Sequence, residues 1–426
     1  MTYTEFLSRK KRNAAFIGFD VDEESMNKNA FPFQKFIVKK ALKAGRYAIF
    51  ANCGLGKTLM QLMFAHHIYE YTGKPVLILA PLAVSGQTIQ EGVKFGIEVS
   101  KYRSGNIQIS NYEQLENIDA SLFSGIVLDE SSILKNYDGA YKTRLIENFS
   151  NTKYRLCCTA TPSPNDEVEL TNHAEFLGIM KASEVWSKYF VHNASGTGDK
   201  YRIKRHAKSE YWRFVSTWAT MVSMPSDIGF NDEGYKLPPL NFIEQKIITE
   251  HRGTSLFNDT AVSATNFNAE LRLTILPRIE SAINIINASE ESFICWVKHN
   301  EESSVLAKKI NGAIEVAGSN TNDEKEKRLL GFAKDEFRVL VTKAKIGMYG
   351  LNFQNCHNML FTAPDFSFEA LYQTIRREYR FGQKYAVNVY LITTDTMQNV
   401  IEALKRKEDQ FNEMQQQMNK YVNHIK

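Results

Sequence analysis

The glycine-rich octapeptide ANCGLGKT at residues 51–58 stands between an apolar run, YAIFA, and a helix-like segment, LMQLMFAHHIYEY. A glycine-rich loop that joins a strand to a helix is typical of phosphate-binding loops, or P-loops. Its glycines allow backbone N–H groups to surround phosphate oxygens, and the start of the helix adds partial positive charge. The strict pattern has glycine at position 51, where this chain has alanine. The octapeptide predicts a strand–loop–helix unit, and with it an α/β fold.

Short, mostly apolar runs recur on both sides of a central stretch that lacks them. Runs of this length are typical of strands buried on both faces of a parallel sheet, and the intervals between them can hold crossover helices. The first series comprises Tyr47–Ala51, Val76–Ala80, Ile107–Asn111, Gly125–Asp129 and Tyr154–Ala160. The second comprises Ser292–Val297, Ala313–Gly318, Arg338–Thr342, Met359–Ala363 and Val387–Thr393. We predict two parallel-sheet domains in tandem, with a mainly helical insert between them.

Length and punctuation divide the chain into five segments. The chain has 426 residues, which at roughly 150 residues per domain allows two or three domains. Strand signals fade after about Pro162, and Pro238-Pro239 precedes the second series. We expect an N-terminal extension at residues 1–30, a first α/β domain at 31–165, an insert and linker at 166–240, a second α/β domain at 241–405, and a C-terminal helix at 406–426.

The overall composition excludes several classes of protein. There are 52 Lys+Arg and 48 Asp+Glu, so the net charge of +4 is too small for a polybasic protein, and any nucleic-acid surface is a local patch. No run of 18 apolar residues occurs, and the N-terminal segment lacks the apolar core of a secretory signal. The five cysteines show no CxxC spacing, which argues against a zinc site or a disulfide framework. We expect a cytoplasmic monomer with no membrane partner.

An acidic pair ends one of the predicted strands of the first domain. Asp129 closes the run GIVLD, and Glu130 follows it directly. A P-loop needs a second carboxylate near the metal and a group that polarises the attacking water. We expect Thr58 and Asp129 to bind Mg²⁺, Lys57 to reach the β- and γ-phosphates of ATP, and Glu130 to activate water.

Together these segments resemble the motifs of superfamily 2 helicases, and of the Snf2-like branch in particular. The acidic pair opens DESSILKN (129–136), which resembles motif II, and QTIRREYRFGQ (373–383) has the Q-x-x-x-R-x-x-R-x-G-Q form of motif VI in that branch. Further stretches resemble the remaining motifs in the same order: FPFQ (31–34), LAPL (79–82), ISNYE (109–113), CTATP (158–162), FICW (293–296) and VTK through GLNF (341–353). The resemblance covers roughly residues 30–405 and is closest to compact helicases of bacteriophages and prophages.

The resemblance implies two recA-like domains that sandwich ATP and Mg²⁺, in a bacterial cell or a phage-infected host. It makes Arg377 and Arg380 arginine fingers, and Gln373 belongs to the same motif, so these three are expected to act in catalysis with Lys57 and Glu130. The expected nucleotide ligands are Gln34, Gly54, Leu55, Gly56, Lys57, Thr58, Gly350 and Asn352. The expected nucleic-acid contacts from the motifs are Pro81, Ser110, Thr159, Thr161 and Lys343.

Two motifs depart from the pattern of the family. Motif II has Ser131-Ser132 where most Snf2-like proteins have Ala-His, and that histidine often couples hydrolysis to nucleic-acid binding. We therefore expect the coupling to run through other groups in this chain. Motif V has Lys345 through Tyr349 where the family usually has a stretch richer in glycine.

Basic and aromatic residues accumulate in the insert. Residues 181–215 contain eight Lys/Arg against three acidic residues, interleaved with seven aromatic residues. Cations of this kind can neutralise phosphates, and aromatic rings can stack on bases. Aromatic residues at helical spacing, such as Tyr211, Phe214 and Trp218, are more typical of a small core. We interpret the aromatic residues mostly as core, and the DNA-contact hypothesis falls on the segment with Lys200, Arg202, Lys204 and Arg205.

The leading hypothesis is an ATP-dependent helicase or translocase that moves on or unwinds DNA, with duplex favoured and single-stranded DNA as the alternative substrate. A second hypothesis is an ATP-gated nucleic-acid-binding module that remodels or recruits a protein partner. A third is an RNA helicase. Glu130 and both arginines are those of an active ATPase, and motif VI of the Snf2-like form favours DNA.

Overall fold

The structure is a computed structural model, and it describes residues 16–135, 139–192, 201–248, 267–347 and 352–422. The chain forms two compact units. The first runs to Asp232 and takes in the chain from Gln410 onward, and the second spans Glu233–Asp409. Each unit is built around its own parallel sheet. The fold is therefore α/β with two parallel-sheet domains in tandem, as the two series of apolar runs predict.

Helices and strands alternate through most of the described residues. The α-helices are α1 (Pro32–Ala44), α2 (Lys57–Thr72), α3 (Ser85–Phe95), α4 (Ala140–Asn148), α5 (Leu170–Phe176), α6 (Ala182–Tyr189), α7 (Lys208–Ser216), α8 (Phe267–Leu273), α9 (Ile275–Asn287), α10 (Asn300–Lys309), α11 (Asn322–Ala333), α12 (Ala344–Gly347), α13 (Phe368–Ile375) and α14 (Gln398–Val422). The strands are β1 (Arg46–Ala51), β2 (Val76–Ala80), β3 (Ser100–Lys101), β4 (Ile107–Asn111), β5 (Gly125–Asp129), β6 (Tyr154–Thr159), β7 (Phe190–His192), β8 (Tyr201–Ile203), β9 (Ala219–Val222), β10 (Leu240–Ile247), β11 (Phe293–Trp296), β12 (Ala313–Val316), β13 (Val339–Thr342), β14 (Asn358–Phe361) and β15 (Val387–Thr394).

The sheet of the first unit contains seven parallel strands in the order β3-β4-β2-β5-β6-β1-β9. Nearly every residue of β1, β2, β5 and β6 is buried, as expected for strands covered by helices on both faces. The five apolar runs of the first half correspond to β1, β2, β4, β5 and β6. The sequence did not predict β3, which has two residues, or β9, which has four and follows the basic stretch.

The sheet of the second unit contains six parallel strands in the order β10-β15-β14-β11-β13-β12. The five runs of the second half correspond to β11 through β15. The edge strand β10, LNFIEQKI, was not predicted, because six of its eight residues are exposed and polar residues interrupt the apolar ones. It pairs with β15 over its whole length.

Most of the insert, up to Asp232, belongs to the first unit. Residues 166–240 contain α5, α6 and α7, the antiparallel hairpin β7–β8, and β9, which pairs with β1. Tyr211, Phe214 and Trp218 are buried, which confirms the interpretation of these rings as core. The stretch that was expected to be mainly helical thus also supplies the edge strand of the first sheet.

The C-terminal helix is longer than the sequence pattern indicated. α14 begins at Gln398 instead of near residue 406, and its part from Gln410 onward belongs to the first unit. There Glu413 forms an ion pair with Lys208, and Arg213 lies over the ring of Tyr421. The thin apolar stripe of this part is buried: Phe411, Met414, Met418 and Tyr421. No helix among the described residues combines the length and the apolar character needed to cross a bilayer.

Candidate nucleotide and nucleic-acid sites

Several motifs meet at one edge of the first sheet. Because all strands of this sheet are parallel, their carboxyl ends lie at the same edge, where ligands bind in open α/β folds. β1 ends at Ala51 before the P-loop, β5 ends at Asp129, and β6 ends at Thr159. β6 lies between β1 and β5, with Thr159 beside Phe50 and Cys158 beside Asp129. The P-loop, the acidic pair and the CTATP segment therefore share one edge.

The P-loop adopts a backbone that its glycines permit. Gly54 and Gly56 have φ angles of +91° and +75°, in the left-handed region that favours glycine. α2 begins at Lys57, so a helix N-terminus with its unpaired N–H groups borders the loop. The Lys57 ammonium donates to the carbonyl oxygen of Ala51 at 2.9 Å. This loop has the backbone donors and the cation that a triphosphate requires.

Gln34 lies against the P-loop. Its side chain is buried, its Nε2 donates to the carbonyl oxygen of Leu55 at 2.8 Å, and its Oε1 accepts from the N–H of Phe31 at 2.9 Å. A Cβ at Gly56 would clash with the same Nε2 and would displace the Gln34 side chain, and the φ angle of +75° also favours glycine there. Gln34 thus joins α1 to the P-loop. Its expected role in reading adenine stays a prediction.

Asp129 is buried beside the P-loop helix. Its Oδ1 accepts from Gln61 Nε2 at 2.7 Å, and its carbonyl oxygen accepts from the Tyr112 hydroxyl at 2.6 Å. Burial, followed by the neighbouring charge of Glu130, raises the pKa of Asp129 to about 6, while Gln61 and Lys57 lower it. A divalent cation would stabilise the ionised carboxylate, and carboxylate and hydroxyl oxygens are ligands that Mg²⁺ accepts. The residues present fit the predicted site at Thr58 and Asp129.

Glu130 has an unusual backbone. Its φ angle is +51°, a left-handed value that few residues other than glycine adopt. Its Oε2 accepts from the hydroxyl of Thr159 at 3.1 Å, and that hydroxyl oxygen accepts from the N–H of Thr161 at 3.2 Å. Strained backbone of this kind persists where neighbouring contacts hold it. The CTATP segment therefore fixes the direction of the Glu130 carboxylate.

The placement of Thr159 and Thr161 differs from what a nucleic-acid contact needs. Both residues are fully buried. In the described structure, Thr159 supports Glu130 through its hydroxyl and presents no surface to a polymer. Their predicted contact with nucleic acid remains untested, and the geometry gives them a role in the acidic pair instead.

Two residues of this site were not predicted from the sequence. Gln61 is fully buried on α2 and holds the Asp129 carboxylate, and Tyr112 is buried and holds the Asp129 carbonyl. Gln61 is the one polar residue in the stretch LMQLMF, and a polar side chain in an apolar helix face was the available signal. Tyr112 lies in ISNYE, whose resemblance to a helicase motif predicts only contacts with nucleic acid.

Pro81 and Ser110 lie close to the carboxyl ends of β2 and β4. Pro81 directly follows β2, and Ser110 is the residue before the end of β4. Both are partly exposed. They are therefore accessible at the edge of the sheet that holds the P-loop, and their contact with nucleic acid stays a prediction.

Lys343 follows β13 in the second unit and lines a cavity of about 250 Å³. The cavity has an apolar wall that includes Trp296 and a polar wall where Lys298 pairs with Asp365. The strands β11, β13 and β14 all end around it. Lys343 is thus placed at the carboxyl edge of its own sheet, as Pro81 and Ser110 are in theirs.

Motifs V and VI are tied together within the second unit. Asn352 Nδ2 donates to Gln354 Oε1 at 2.6 Å, and Gln354 Nε2 donates to the carbonyl oxygens of Arg380 and Phe381. The N–H of Phe353 donates to the carbonyl oxygen of Arg377 at 3.0 Å. Asn352 therefore helps to position the loop that carries the arginines. Gly350, the other predicted nucleotide ligand in motif V, lies outside the described residues.

The arginines of motif VI follow α13. Gln373 lies in the last turns of that helix, and Arg377 and Arg380 lie in the turn after it, each partly exposed. Arg376 is stacked over the rings of Tyr372 and Tyr379, at 5.0 and 5.3 Å from their centroids. The guanidinium of Arg376 therefore belongs to an aromatic cluster.

Glu378 is a fully buried acid between the two arginines. Burial raises the pKa of Glu378 well above its ordinary value, and the neighbouring Cys356 thiol offsets this only in part. The Gln383 side chain donates to the carbonyl oxygens of Glu378 and Cys356, at 3.3 and 3.0 Å. Burial therefore favours the protonated, uncharged form of the Glu378 side chain in the folded protein.

We expect Glu378→Gln to make the protein more stable than the wild type at alkaline pH and equally stable at acidic pH. A raised pKa in the folded state contributes stability that is present below the ordinary value of 4.5 and lost as pH rises through the folded-state pKa. The neutral amide does not titrate, so the difference should grow by about 1.4 kcal/mol per pH unit between the two values. Thermal melts from pH 5 to 9 would measure it, with the exposed Glu336→Gln as control. A difference that does not change with pH would contradict it.

The insert places its predicted DNA-contact residues in different settings. Arg202 and Arg205 are exposed. The Lys204 ammonium donates to the carbonyl oxygens of Ser187 and Lys188 at the end of α6, at 2.7 and 3.2 Å, where a cation stabilises a helix C-terminus. Lys200 lies outside the described residues. Of the three cations that the structure describes here, Arg202 and Arg205 are therefore the better placed for a polymer.

Two family models match separate parts of the chain. A model described as the SNF2-related domain matches residues 87–210, and one described as the helicase conserved C-terminal domain matches residues 277–382. The first match includes the acidic pair and the CTATP segment. The second includes the motif VI arginines.

Three curated relatives are similar to this chain. YwqA of Bacillus subtilis (strain 168), named as an ATP-dependent helicase/translocase, is 22% identical over 90% of this chain and 48% of its own length. Protein p41 of Acyrthosiphon pisum secondary endosymbiont phage 1 is 27% identical over 34% of this chain and 38% of its own. A protein of Oryza sativa subsp. japonica, named as a chromatin-remodeling complex ATPase chain, is 27% identical over 35% and 16%. The chain thus spans about half the length of YwqA, and less of the others.

One solved structure is similar over almost the whole chain. It is the SWI2/SNF2 ATPase core of Sulfolobus solfataricus in complex with dsDNA, which covers 96% of this chain and 97% of its own. The sequence identity is 17% and the TM-score is 0.45.

Proposed function

Because this chain belongs to the Snf2-like branch of superfamily 2 helicases, we propose that it is an ATP-driven motor that moves along duplex DNA. The observation that carries the proposal is the arrangement at the edge of the first sheet. There the P-loop with Lys57 follows β1, the buried Asp129 ends β5, and Glu130 directly after it is held by Thr159 at the end of β6, the strand between them. This set of groups is the one that hydrolysis of a nucleoside triphosphate requires.

In this proposal the first unit binds the nucleotide and prepares the water. The N–H groups of the P-loop and the Lys57 ammonium hold the phosphates, and Lys57 exchanges its bond to the Ala51 carbonyl for the phosphate oxygens. Thr58 and Asp129 would hold Mg²⁺, which would supply positive charge against the phosphate charge that develops in the reaction. Glu130 accepts a hydrogen bond from the attacking water and polarises it.

The second unit supplies positive charge to the same reaction. Arg377 and Arg380 stabilise the charge that develops on the γ-phosphate, and their planar guanidinium groups can each donate two parallel hydrogen bonds. The loop that carries them is held by Asn352, Gln354 and Gln383. Turnover therefore depends on both units. The hydrolysis cycle can then change the affinity of each unit for DNA in turn.

The test is steady-state ATP hydrolysis without polymer and with duplex DNA, single-stranded DNA or single-stranded RNA. We expect duplex DNA to stimulate turnover most strongly. Stimulation by single-stranded DNA alone would replace the proposal with a strand-separating helicase. Stimulation by RNA alone would overturn the assignment to DNA, and ATP binding without turnover in any sample would indicate a nucleotide-gated binding module.

Exchanging Arg202 and Arg205 for glutamine is expected to weaken binding to duplex DNA and to reduce its dependence on salt. The plot of log K against log salt concentration has a negative slope, and each lost phosphate contact reduces the magnitude of that slope by about 1. Fluorescence anisotropy between 50 and 300 mM salt would measure both. The control is Lys153→Gln, an exposed lysine at the amino end of β6, at the opposite edge of the sheet from the P-loop. A salt slope equal to that of the wild type would remove this surface from the DNA path.

A further inference from the structure

The segment after Glu130 is held at both ends by one short helix. Residues Ser131–Lys135 form a 3₁₀ helix that starts directly after the left-handed Glu130. The Nε2 of His173 on α5 lies 3.2 Å from the hydroxyl of Ser131, at the beginning of this 3₁₀ helix. The neighbouring Asn172 donates to the carbonyl oxygens of Leu134 and Lys135 at its end, at 2.8 and 3.3 Å. α5 therefore clamps the segment that sets the direction of Glu130.

His173 is also fixed from its other side. It is fully buried, and its ring meets Phe50 of β1 edge-on, with centroids 5.2 Å apart. Burial lowers the pKa of His173 to about 4, so the ring is neutral near pH 7. β1 leads directly into the P-loop. A neutral imidazole thus bridges the strand before the P-loop and the residue after Glu130.

The residue before Asn172 connects α5 to the aromatic insert. The Thr171 hydroxyl accepts from Trp186 Nε1 on α6 at 2.9 Å. The Trp186 ring is stacked on Tyr201 of β8, with centroids 5.5 Å apart and planes inclined by 23°. Tyr201 is adjacent to Arg202, the exposed cation assigned above to duplex DNA. Contacts therefore run without a gap from the hairpin β7–β8 to Ser131, and three consecutive residues of α5 provide the middle of the path.

We propose that His173 is a positioning residue for Glu130, and that α5 transmits the DNA-bound state of the hairpin to the catalytic carboxylate through the hydrogen bond between His173 and Ser131. The inference deepens the proposed DNA-driven ATPase and rests on it. The left-handed Glu130 is the sensitive element, because its orientation depends on the contacts of the residues that follow. A shift of α5 would reorient the carboxylate relative to the attacking water, and a displacement of about 1 Å can change a rate by about 100-fold.

The test compares four variants in duplex-stimulated ATP hydrolysis. His173→Leu and Ser131→Ala each remove one partner of the hydrogen bond, and we expect each to lower the stimulated kcat by about 10- to 100-fold with an unchanged KM for ATP. His173→Gln keeps a hydrogen-bonding amide close to the position of Nε2 and should restore most of the rate. The control Ser150→Ala removes an exposed hydroxyl that bonds only to the nearby Glu147 carbonyl among its described contacts, and it should behave as the wild type.

Combining Ser131→Ala with His173→Leu in one double variant distinguishes a shared role of the two residues from two independent defects. If the two residues act through one hydrogen bond, the double variant should be no slower than the slower single variant. Ser131→Ala removes one atom, so this variant keeps the test decisive if His173→Leu does not fold. On the insert side, Trp186→Phe keeps the stacked ring and loses the donor to Thr171, and it should lower stimulation while leaving turnover without DNA unchanged.

The outcomes separate the inference from the function on which it rests. A wild-type protein that duplex DNA does not stimulate overturns the proposed function, and the inference with it. Normal stimulation in the wild type, together with equal stimulation in Ser131→Ala and His173→Leu, overturns the inference alone. Multiplying defects in the double variant, or a raised KM for ATP in place of a lowered kcat, would assign the residues to folding or nucleotide binding and would also overturn it.

Discussion

Arg377→Ala is expected to lower the duplex-stimulated kcat for ATP hydrolysis by about 10³- to 10⁵-fold, the range that arginine fingers contribute in other phosphoryl-transfer enzymes. The expected reason is loss of positive charge next to the γ-phosphate in the transition state. The nucleotide itself is held by the P-loop, so the Kd for ATP should change little. Stopped-flow single-turnover hydrolysis and equilibrium nucleotide binding would measure the two quantities separately.

The matched control for this prediction is the adjacent arginine. Arg376 is stacked on Tyr372 and Tyr379, so Arg376→Ala should lower stability by about 1 kcal/mol and leave kcat within a few-fold of the wild type. Turnover of Arg377→Ala close to the wild-type rate would show that this arginine does not act on the γ-phosphate. Equal losses in both variants would point to damage to the motif VI loop as a whole.

Glu130→Gln is expected to lower the same kcat by about 10²- to 10⁴-fold, because an amide cannot take the proton that the attacking water releases. The amide oxygen can still accept the hydrogen bond from Thr159, and glutamine has the shape of glutamate, so the backbone at this position should be preserved. We therefore expect the variant to keep its melting temperature and its affinity for ATP. Rapid-quench hydrolysis and thermal melts would measure the two effects.

A surface substitution of the same chemistry provides the comparison for Glu130→Gln. Glu147 is exposed on α4, and Glu147→Gln should leave turnover unchanged. An unchanged rate in Glu130→Gln would remove Glu130 from the water-activating role and leave Asp129 as the remaining carboxylate at the site. Loss of ATP binding in Glu130→Gln would instead mean that its charge acts on the nucleotide.

Most of the fold could be predicted because its strands carry a strong local signal. Ten strands of the two sheets are short, mostly apolar runs, and β1, β2, β5, β6, β11, β13 and β14 among them are almost entirely buried. β10 has no such signal, since it lies at a sheet edge with six exposed residues. β9 and β3 are too short to give a pattern, and each is recruited by a neighbouring strand through main-chain hydrogen bonds that no side-chain pattern reports.

The site was predictable where a motif brings its residues together along the chain. The P-loop, Asp129 and Glu130 lie at strand ends, and parallel strands place those ends at one edge. From their helices, Gln61 reaches Asp129 and His173 reaches Ser131, and these partners are 68 and 42 positions away in sequence. Contacts of that range depend on helix packing. A periodic pattern identifies which face of a helix is buried, but it does not identify the polar partner.

The roles of the charged residues in the insert also could not be predicted from the sequence. Its excess of Lys and Arg suggested one DNA-binding patch, yet the side chains have separate tasks. Lys204 caps α6 and Lys208 pairs with Glu413 of α14, while Arg202 and Arg205 are exposed. Composition counts charges, but the use of each charge depends on which carbonyl or carboxylate the fold places beside it.

Displacement of a triplex-forming strand from duplex DNA tests the central claim, movement along duplex, most directly. A motor that moves on duplex removes the third strand without separating the two below it. We expect displacement that requires ATP, that is absent with ADP, and that is lost in Glu130→Gln although this variant still binds DNA. ATP hydrolysis stimulated by duplex DNA without any displacement of the third strand would contradict the account.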